Sequence, residues 1–432
     1  MTHRRSLSIH TFGCKLNQCE SAHMQRLLSR DFDVTIGRSA GDIFLFNSCT
    51  VTAEAERKLR QRFRSLKRKN PDSLFLVTGC YSELSETELR RLGFDEVIKS
   101  DHKTRMDSVI KQVINGDRKA YCLENGFPLS LSAPEGRTRA YLTIQDGCSN
   151  RCTYCRVRLA RGSSIRSKPV SLVKSEFQNL VDRGFKEIVL TGLNICFFGS
   201  GLGSSLLELL QELSTVKGEW RLRLSSLHPA FVKHELVEFI ASNPRIAQHL
   251  HLSLQSGSNR ILSLMNRGYD RESFMSLVDA LRGLNPLIAM TTDVIVGFPS
   301  ETEADFDQTC EVVKEVEFLK THIFRFSARP GTTAASFAEQ VPTTMKKERA
   351  ERLEHLSRES ARDYLEKSLG QNRVVLVERA THTASSGRDE YYVPHVVSSG
   401  EEGELVEVVS EKICSEEVES YGLFHFRSLV VH

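Results

Sequence analysis

A chain of 432 residues with 40% hydrophobic and 26% charged residues has the composition of an ordinary soluble protein and enough length for two or three cores. No apolar run approaches the roughly 20 residues of a membrane-spanning helix, and the start, Arg4 and Arg5 without an apolar stretch behind them, does not read as a secretory signal. The net charge of +3 is too small to establish a nucleic-acid partner, whereas eleven cysteines in a chain expected to be cytoplasmic point to metal rather than disulfides.

In chain order, Ser6 to Thr11, Ile43 to Asn47 and Leu74 to Thr78 read as short strands between stretches of helical period, the pattern of an open α/β sheet. Each runs into a cysteine: Cys14, Cys49 and Cys80. Open α/β sheets bind ligands at their strand ends, so three such loops are able to bring their thiols to one point. The basic run from Arg57 to Lys69, with Arg60, Arg62, Arg64, Lys67 and Arg68, is placed on a helix; a solvated face is its usual meaning, and an RNA-backbone contact the competitor. From Glu124 to Ala140 glycine, proline and serine accumulate as in a linker, which sets an N-terminal domain at 1–123 apart from a central one at 134–367.

The central section alternates again. Ala140 to Gln145, Glu187 to Thr191, Arg221 to Ser225, His249 to Leu254, Thr291 to Val296 and His322 to Phe326 are strand candidates separated by helical lengths, which predicts a partial (β/α)6 parallel barrel with chemistry at the strand ends. A charged helix over Thr344 to Ser368 closes it. The remainder, 368–432, carries short β-like runs at Val374 to Glu378, Tyr391 to Val397 and Leu405 to Val409, with Gly387, Gly400 and Gly403 at turns, and predicts a small antiparallel β-barrel.

The sharpest local signal is Cys148-Ser-Asn-Arg-Cys152-Thr-Tyr-Cys155. Eleven cysteines scattered at random would give such a triplet about 0.007 times per chain. Three thiolates on one loop hold three irons of a four-iron cluster and leave the fourth open. That open position suits chelation of a methionine amino and carboxylate group and delivery of an electron to its sulfonium. A structural zinc site is the rival reading, but it wants four closed ligands, commonly two pairs, and no second pair lies nearby. Cys19, Cys122, Cys196, Cys310 and Cys414 show no ligand spacing and read as buried or incidental thiols.

The triplet, with Tyr154 before its last cysteine, resembles the radical S-adenosylmethionine superfamily. Thr11-Phe-Gly-Cys-Lys-Leu-Asn-Gln18, Asn47-Ser-Cys-Thr-Val-Thr52, Thr78-Gly-Cys80, Ala160-Arg-Gly162, Leu190-Thr-Gly-Leu-Asn194 and Ser327-Ala-Arg-Pro-Gly-Thr332 narrow the resemblance to its methylthiotransferase family, in order and over nearly the whole chain. The opening around Cys14, with Glu20-Ser21, and His249 to Gly257 look most like the enzymes that methylthiolate carbon 2 of N6-threonylcarbamoyladenosine at position 37 of tRNA. Relatives acting on isopentenyladenosine-37, or on a ribosomal-protein aspartate, are the alternatives, and a metal-stapled RNA-binding protein the non-enzymatic one. Arg158 and Arg325 depart from the family pattern, which often has proline there.

The resemblance implies two 4Fe-4S clusters. Cys148, Cys152 and Cys155 would hold the catalytic one, which cleaves S-adenosylmethionine to a radical that takes hydrogen from carbon 2. Cys14, Cys49 and Cys80 would hold the second, which passes on sulfur. For the cofactor it implies Tyr154, Gln255, Arg267 and Asp293, with Gly192 allowing close backbone approach and Asn194 and Ser226 as further candidates. Arg329 is expected to neutralise a substrate carboxylate, with a loop-fixing hydrogen bond as the alternative. The last domain resembles the tRNA-binding TRAM barrel, with Glu378, Gly387 and Tyr391 on its pattern. The partners implied are tRNA, S-adenosylmethionine and an electron donor such as flavodoxin or ferredoxin, with no membrane.

Overall fold

The computed structural model describes residues 4–116, 137–382, 384–414 and 425–430. Residues 124–136 of the expected linker, and Cys122, lie outside them, while its last residues belong to a strand that begins at Arg139.

The first section runs β1 (Ser6–Thr11), α1 (Lys15–Leu28), β2 (Asp33–Ile36), β3 (Ile43–Ser48), α2 (Ala53–Lys69), β4 (Leu74–Gly79), α3 (Cys80–Leu84), α4 (Glu86–Leu92), β5 (Glu96–Val97) and α5 (Met106–Ile114). The strands form one parallel sheet in the order β2-β1-β3-β4-β5. Along β3, Ile43 and Leu45 pack with Met24, Leu28 and Ile110 on one face, while Phe44 and Phe46 pack with Leu59, Phe63 and Leu66 on the other. Burial on both faces is why this strand reads as an unbroken apolar run. The edge strands β2 and β5, short and partly polar, carry no such run and escaped the sequence reading.

The central section holds six parallel strands: β6 (Arg139–Thr143), then, after a two-residue pairing of β7 (Gln145–Asp146) with β8 (Arg166–Ser167), β9 (Glu187–Thr191), β10 (Arg221–Leu224), β11 (His249–His251), β12 (Ala289–Val296) and β13 (Lys320–Arg325). β6-β9-β10 and β11-β12-β13 are two ladders, joined by single parallel bridges Leu222–Ile246 and Leu227–Leu252. The helices between them are α6 (Val157–Arg161), α7 (Val170–Asp182), α8 (Leu206–Ser214), α9 (His234–Ser242), α10 (Asn259–Leu264), α11 (Arg271–Leu284) and α12 (Glu303–Val316), followed by α13 (Thr343–Lys367). Alternate residues such as Leu142, Ile188, Leu222, Leu250 and Val294 join the helices in the main core. By the two-residue period of a strand, Arg139, Glu187, Arg221, Arg223, His249, His251 and Asp293 face the other way, into the lumen. The result is a partial parallel barrel, as expected, with a strongly polar interior.

The last section is a closed five-strand barrel, β14 (Asn372–Ala380), β15 (Ser385–Arg388), β16 (Pro394–Val397), β17 (Leu405–Cys414) and β18 (His425–Val430), in the order β14-β15-β16-β18-β17. The expectation of an antiparallel barrel needs one amendment, because β16 and β18 run parallel. Tyr391 to Val397 is also not one strand: Tyr391 and Tyr392 belong to the turn before β16. Among the described residues, no helix is long and apolar enough to cross a membrane.

Buried charge joins the sections. Glu187 of β9 accepts from Arg221 Nε at 2.7 Å and Arg223 Nε at 2.8 Å and pairs with Arg139 at 2.5 Å. Arg221 and Arg223 then donate to the carbonyls of Val374, at 2.7 Å, and Asp389, at 2.9 Å, so the last barrel docks on the base of the central one. On the other side, Arg161 of α6 pairs with Glu20 of α1, which also takes Lys103. Arg156 and Arg329 both reach Glu56 of α2.

Burial by itself would raise the Glu20 carboxyl, but Arg161 and Lys103 outweigh it and hold it at about 2 instead of 4.5. A depressed carboxylate contributes stability in full above its unfolded pKa and loses it as pH falls toward the folded value. The contribution is on the order of 3 kcal/mol, lost between about pH 5 and pH 2. In Glu20→Gln the acid limb of a plot of urea midpoint against pH is expected to flatten by that amount; a plot matching wild type would remove Glu20 from this role.

Candidate cluster sites and a polar cavity

Strand order in the first sheet reverses between β1 and β3, and the crevice beyond such a switch point is where open α/β sheets bind ligands. Cys14 follows β1, Cys49 follows β3, and Cys80 follows β4, so the three loops stand side by side at this edge. The thiols are within electrostatic reach of one another. Two glycines make that approach possible. Gly13 and Gly79 both have φ of +102°. A Cβ on Gly13 would lie 2.5 Å from the Cys49 Cβ and 2.6 Å from its Sγ, and one on Gly79 would collide with the Ser48 carbonyl.

Side chains complete the frame. Asn17 donates to the Phe12 carbonyl at 2.8 Å and the Ser48 carbonyl at 2.9 Å, tying the Cys14 and Cys49 loops together. Its Oδ1 accepts from Arg161 at 2.9 Å, and Arg161 Nε also donates to Cys80 Sγ at 3.1 Å. A cation from the central section thus sits on a thiol of the first. Burial pushes the Cys49 thiol up to about 12, so a metal bound there displaces a proton. Sequence reasoning quoted Ala160-Arg161-Gly162 as a motif but gave Arg161, Asn17 and Glu20 no task.

The second set lies on one loop. Cys148, Cys152 and Cys155 are half-buried and interact electrostatically, and Cys155 N donates to the Cys152 carbonyl at 3.1 Å. Between them Thr153 is fixed by its N to Met265 O at 3.1 Å and its hydroxyl to Leu264 O at 2.8 Å. Tyr154 packs among Ile261, Met265, Phe298 and Phe326. Arg267 places one nitrogen 3.4 Å from both Cys152 Sγ and Tyr154 Oη, and donates with another to Ser253 O at 2.8 Å. Burial, reinforced by Cys152, raises the Cys155 thiol to about 11.

The other expected cofactor residues divide. A Cβ on Gly192 would come within 2.8 Å of the Gln145 carbonyl, so the missing side chain is accounted for by packing. Asn194 N donates to Gln145 Oε1 at 3.0 Å, and the Asn194 carboxamide nitrogen is buried without a partner, as is the Ser225 hydroxyl. Gln255 is held at φ +70°, its N bonded to Asp293 O at 2.8 Å. Asp293 pairs with His251 at 3.2 Å, which against the effect of burial holds its carboxyl below the ordinary range. Ser226 is exposed and, with Asp293, lines a cavity of about 660 Å³ bounded by Lys15, strands β10 to β13, α13 and the turn at Tyr392. Arg329 differs from expectation: it meets a protein carboxylate, Glu56, and is not part of that lining.

Among the described residues no three His, Cys, Asp or Glu side chains converge as ligands of a single metal ion. One zinc needs its sulfurs about 2.3 Å from a common centre, whereas cysteines on separate irons of a cluster stand farther apart. The unpartnered Asn194 and Ser225 groups beside the strand ends fit a polar ligand there. Of the remaining cysteines Cys19 is buried, and Cys196, Cys310 and Cys414 are half-buried.

Two family models match: one described as an uncharacterized protein family, UPF0004, over residues 6–98, and the radical SAM superfamily over residues 142–313. The chain is 41% identical over 418 residues, 96% of both chains, to the threonylcarbamoyladenosine tRNA methylthiotransferase MtaB of Thermotoga maritima. It is 36% identical to a tRNA-2-methylthio-N(6)-dimethylallyladenosine synthase of Methylacidiphilum infernorum, covering 86% of this chain and 84% of that one. Among solved structures, the radical S-adenosylmethionine methyltransferase TsrM of Kitasatospora setae, with cobalamin and a 4Fe-4S cluster bound, superposes with a TM-score of 0.55 at 13% identity, covering 77% of this chain and 74% of that one.

Replacing Gly79, whose φ and ψ of +102° and −167° only glycine adopts freely, should displace the Cys49 and Cys80 loops. In Gly79→Ala, iron in the anaerobically reconstituted protein is expected to fall from about eight to about four atoms per chain. Full iron in that variant would show that the glycine does not set the thiols.

Proposed function

Because the chain belongs to the radical S-adenosylmethionine methylthiotransferase family, we propose that its two cysteine sets, on two different sections, divide one reaction between them. The protein is a transferase that methylthiolates N6-threonylcarbamoyladenosine in tRNA and uses S-adenosylmethionine and 4Fe-4S clusters. The attack is assigned to carbon 2 of the base at position 37. The observation that carries this division is Arg161, which spans from the central barrel to Cys80 and Glu20 of the first sheet.

In this reading residues 1–123 hold one cluster through Cys14, Cys49 and Cys80, residues 134–367 hold the other through Cys148, Cys152 and Cys155, and residues 368–432 serve RNA. Bound clusters and S-adenosylmethionine supply the radical, the sulfur and the methyl group. The chain's own residues bind and orient. Arg267 fixes the Cys152 side of the loop to the Ser253 carbonyl and keeps positive charge beside the thiolates. Asp293, ionised and aimed by His251, and Gln255 suit ribose hydroxyls, and the open amide of Asn194 suits a carboxylate or ribose oxygen. Tyr154 packs behind the loop and limits its movement. Arg329 is assigned to the contact with Glu56. A flavodoxin or ferredoxin is the electron donor and the cytoplasm the location that such chemistry favours.

For RNA the exposed side of α2 is the main candidate. Leu59, Phe63 and Leu66 face the core, Arg57 and Arg60 are paired with acids, and Arg64, Arg68 and Lys69 have no ion pair among the described residues. Free guanidinium and ammonium groups on one face give sequence-independent phosphate affinity.

Two measurements test the proposal. Nucleosides from tRNA of a strain lacking this chain are expected to lose 2-methylthio-N6-threonylcarbamoyladenosine by mass spectrometry; loss of the methylthio-isopentenyl nucleoside in its place would overturn the substrate. Changing Arg64, Arg68 and Lys69 together to Ala should weaken tRNA binding and lower the slope of log K against log salt by roughly two. An unaltered slope would move the RNA elsewhere on the molecule.

A further inference from the structure

The cavity of about 660 Å³ is large enough for a modified base and has walls from all three sections: Lys15 from the first, β10 to β13 and α13 from the second, Arg388, Tyr392 and Pro394 from the third. Its lining includes Ser226 and Asp293, so it reaches the strand ends where cofactor residues are proposed. A threonylcarbamoyl group brings one full negative charge into such a space. Burying that carboxylate demands a cation whose own hydrogen bonds are unspent.

Most cations here are spent. Arg223 is used up by Glu187 and the Asp389 and Glu390 carbonyls. Arg388 donates to Glu378 at 3.0 Å, and Arg358 pairs with Glu354. His251 is held between Thr291 and Asp293. Lys15 is different: it faces the cavity and, among the described residues, makes no hydrogen bond or ion pair, its electrostatic neighbours being Tyr392, Arg223, Arg139 and Glu187. Lys320 also lines the cavity and is, like Lys15, accessible to solvent, but it is Lys15 that stands within electrostatic reach of Tyr392.

Tyr392 is fixed in a manner that its place in a turn does not require. Its backbone is held at φ +70°, in the left-handed region that costs a tyrosine strain. Its ring stacks on His249, with centroids 4.8 Å apart and planes 25° apart, and carries the guanidiniums of Arg388, Arg223 and Arg139 at 4.8, 4.9 and 5.4 Å. The ring therefore cannot swing away. Burial opposes ionisation of the phenol, but the arginines and Lys15 outweigh it and lower its pKa, which makes the hydroxyl a stronger donor.

We propose that the Lys15 ammonium and the Tyr392 hydroxyl form the subsite for the threonyl carboxylate of the substrate nucleoside. The inference rests on the threonylcarbamoyladenosine reading above and assigns to Lys15 the task that Arg329 cannot perform while Glu56 holds it. Lys15 is the residue after Cys14, so one helix start fixes both a cluster ligand and the grip on the substrate's anionic end. The same ammonium disfavours an apolar alkyl group in this place, because it would be left buried and unpaired.

The test compares two anticodon stem-loop RNAs with the full-length, anaerobically reconstituted enzyme: one bearing threonylcarbamoyladenosine, the other the same nucleoside with its carboxylate converted to a carboxamide. Wild type is expected to have a KM at least about tenfold lower for the carboxylate RNA. In Lys15→Gln that KM rises by about tenfold or more with kcat changed far less, the amide RNA is little affected, and the preference collapses; Lys15→Arg restores most of it. Iron content and circular dichroism of each variant report whether clusters and fold are intact. If Lys15→Gln loses iron, Tyr392→Phe, far in sequence from every proposed ligand, decides the matter through a rise of about threefold or more in the carboxylate RNA's KM. A preference for the carboxylate kept intact by an iron-replete Lys15→Gln, or by Tyr392→Phe in the case above, overturns the subsite while leaving the substrate assignment standing. Wild type that ignores the carboxylate RNA but turns over a dimethylallyl RNA overturns both.

Discussion

A six-strand arc with charged side chains on its inner face cannot be left open to bulk water on one side and packed with apolar residues on the other; its ends must be met by groups that match its charge. Glu187 states the constraint most clearly. Burial alone would neutralise its carboxyl, but Arg139, Arg223 and Arg221 surround it and hold it well below the ordinary carboxylate range. Three cations against one anion leave an excess that must go somewhere. It goes to Glu378 and to backbone carbonyls of the last barrel, which is how that barrel becomes the floor of the central one. Such buried ion pairs contribute little net stability, since desolvation consumes most of the attraction, and their value here lies in allowing one docking geometry.

The pattern behind this was legible in part. Arg221-Leu-Arg-Leu224 and His249-Leu-His-Leu252 alternate strictly, which is the signature of strands with one apolar and one polar face. What alternation does not say is who answers the polar face. Glu187 lies far in the chain from Tyr392 and from the carbonyls of Val374 and Asp389, and only the assembled molecule brings them together. The same limit explains the edge strands: β5, at two residues, is shorter than any periodic signal. The parallel pairing of β16 with β18 was out of reach for the same reason, since pairing direction depends on topology rather than on composition.

The two cysteine sets differ in the same respect. Cys148, Cys152 and Cys155 carry their geometry in their spacing, and the loop needs from the fold only a few anchors at Thr153 and Arg267. Cys14, Cys49 and Cys80 have no informative spacing. Their meeting depends on strand order, on the absence of side chains at Gly13 and Gly79, and on Asn17 bridging two loops. In the sequence these three residues are marked by the family resemblance and not by their spacing. Arg329 shows the converse, because of its two readings in the sequence, a ligand's carboxylate or a structural contact, the fold supplies a partner for the second in Glu56.

This difference has a consequence for how the molecule holds metal. A triplet on one loop is able to gather irons around itself even if its surroundings are imperfect. A set drawn from three strands exists only when the first sheet is folded, so the free energy of a cluster bound there would also be free energy of that sheet. Arg161 extends the coupling to the central barrel. It touches Cys80, Asn17 and Glu20 from a helix that begins two residues after Cys155, so any displacement of the loop that carries Cys155 is felt at the thiols of the other set. On the proposed division of the reaction, sulfur transfer would need the two cysteine sets to keep a fixed separation. An arginine buried between them, satisfied only when both sections are in place, is a direct physical means of keeping it.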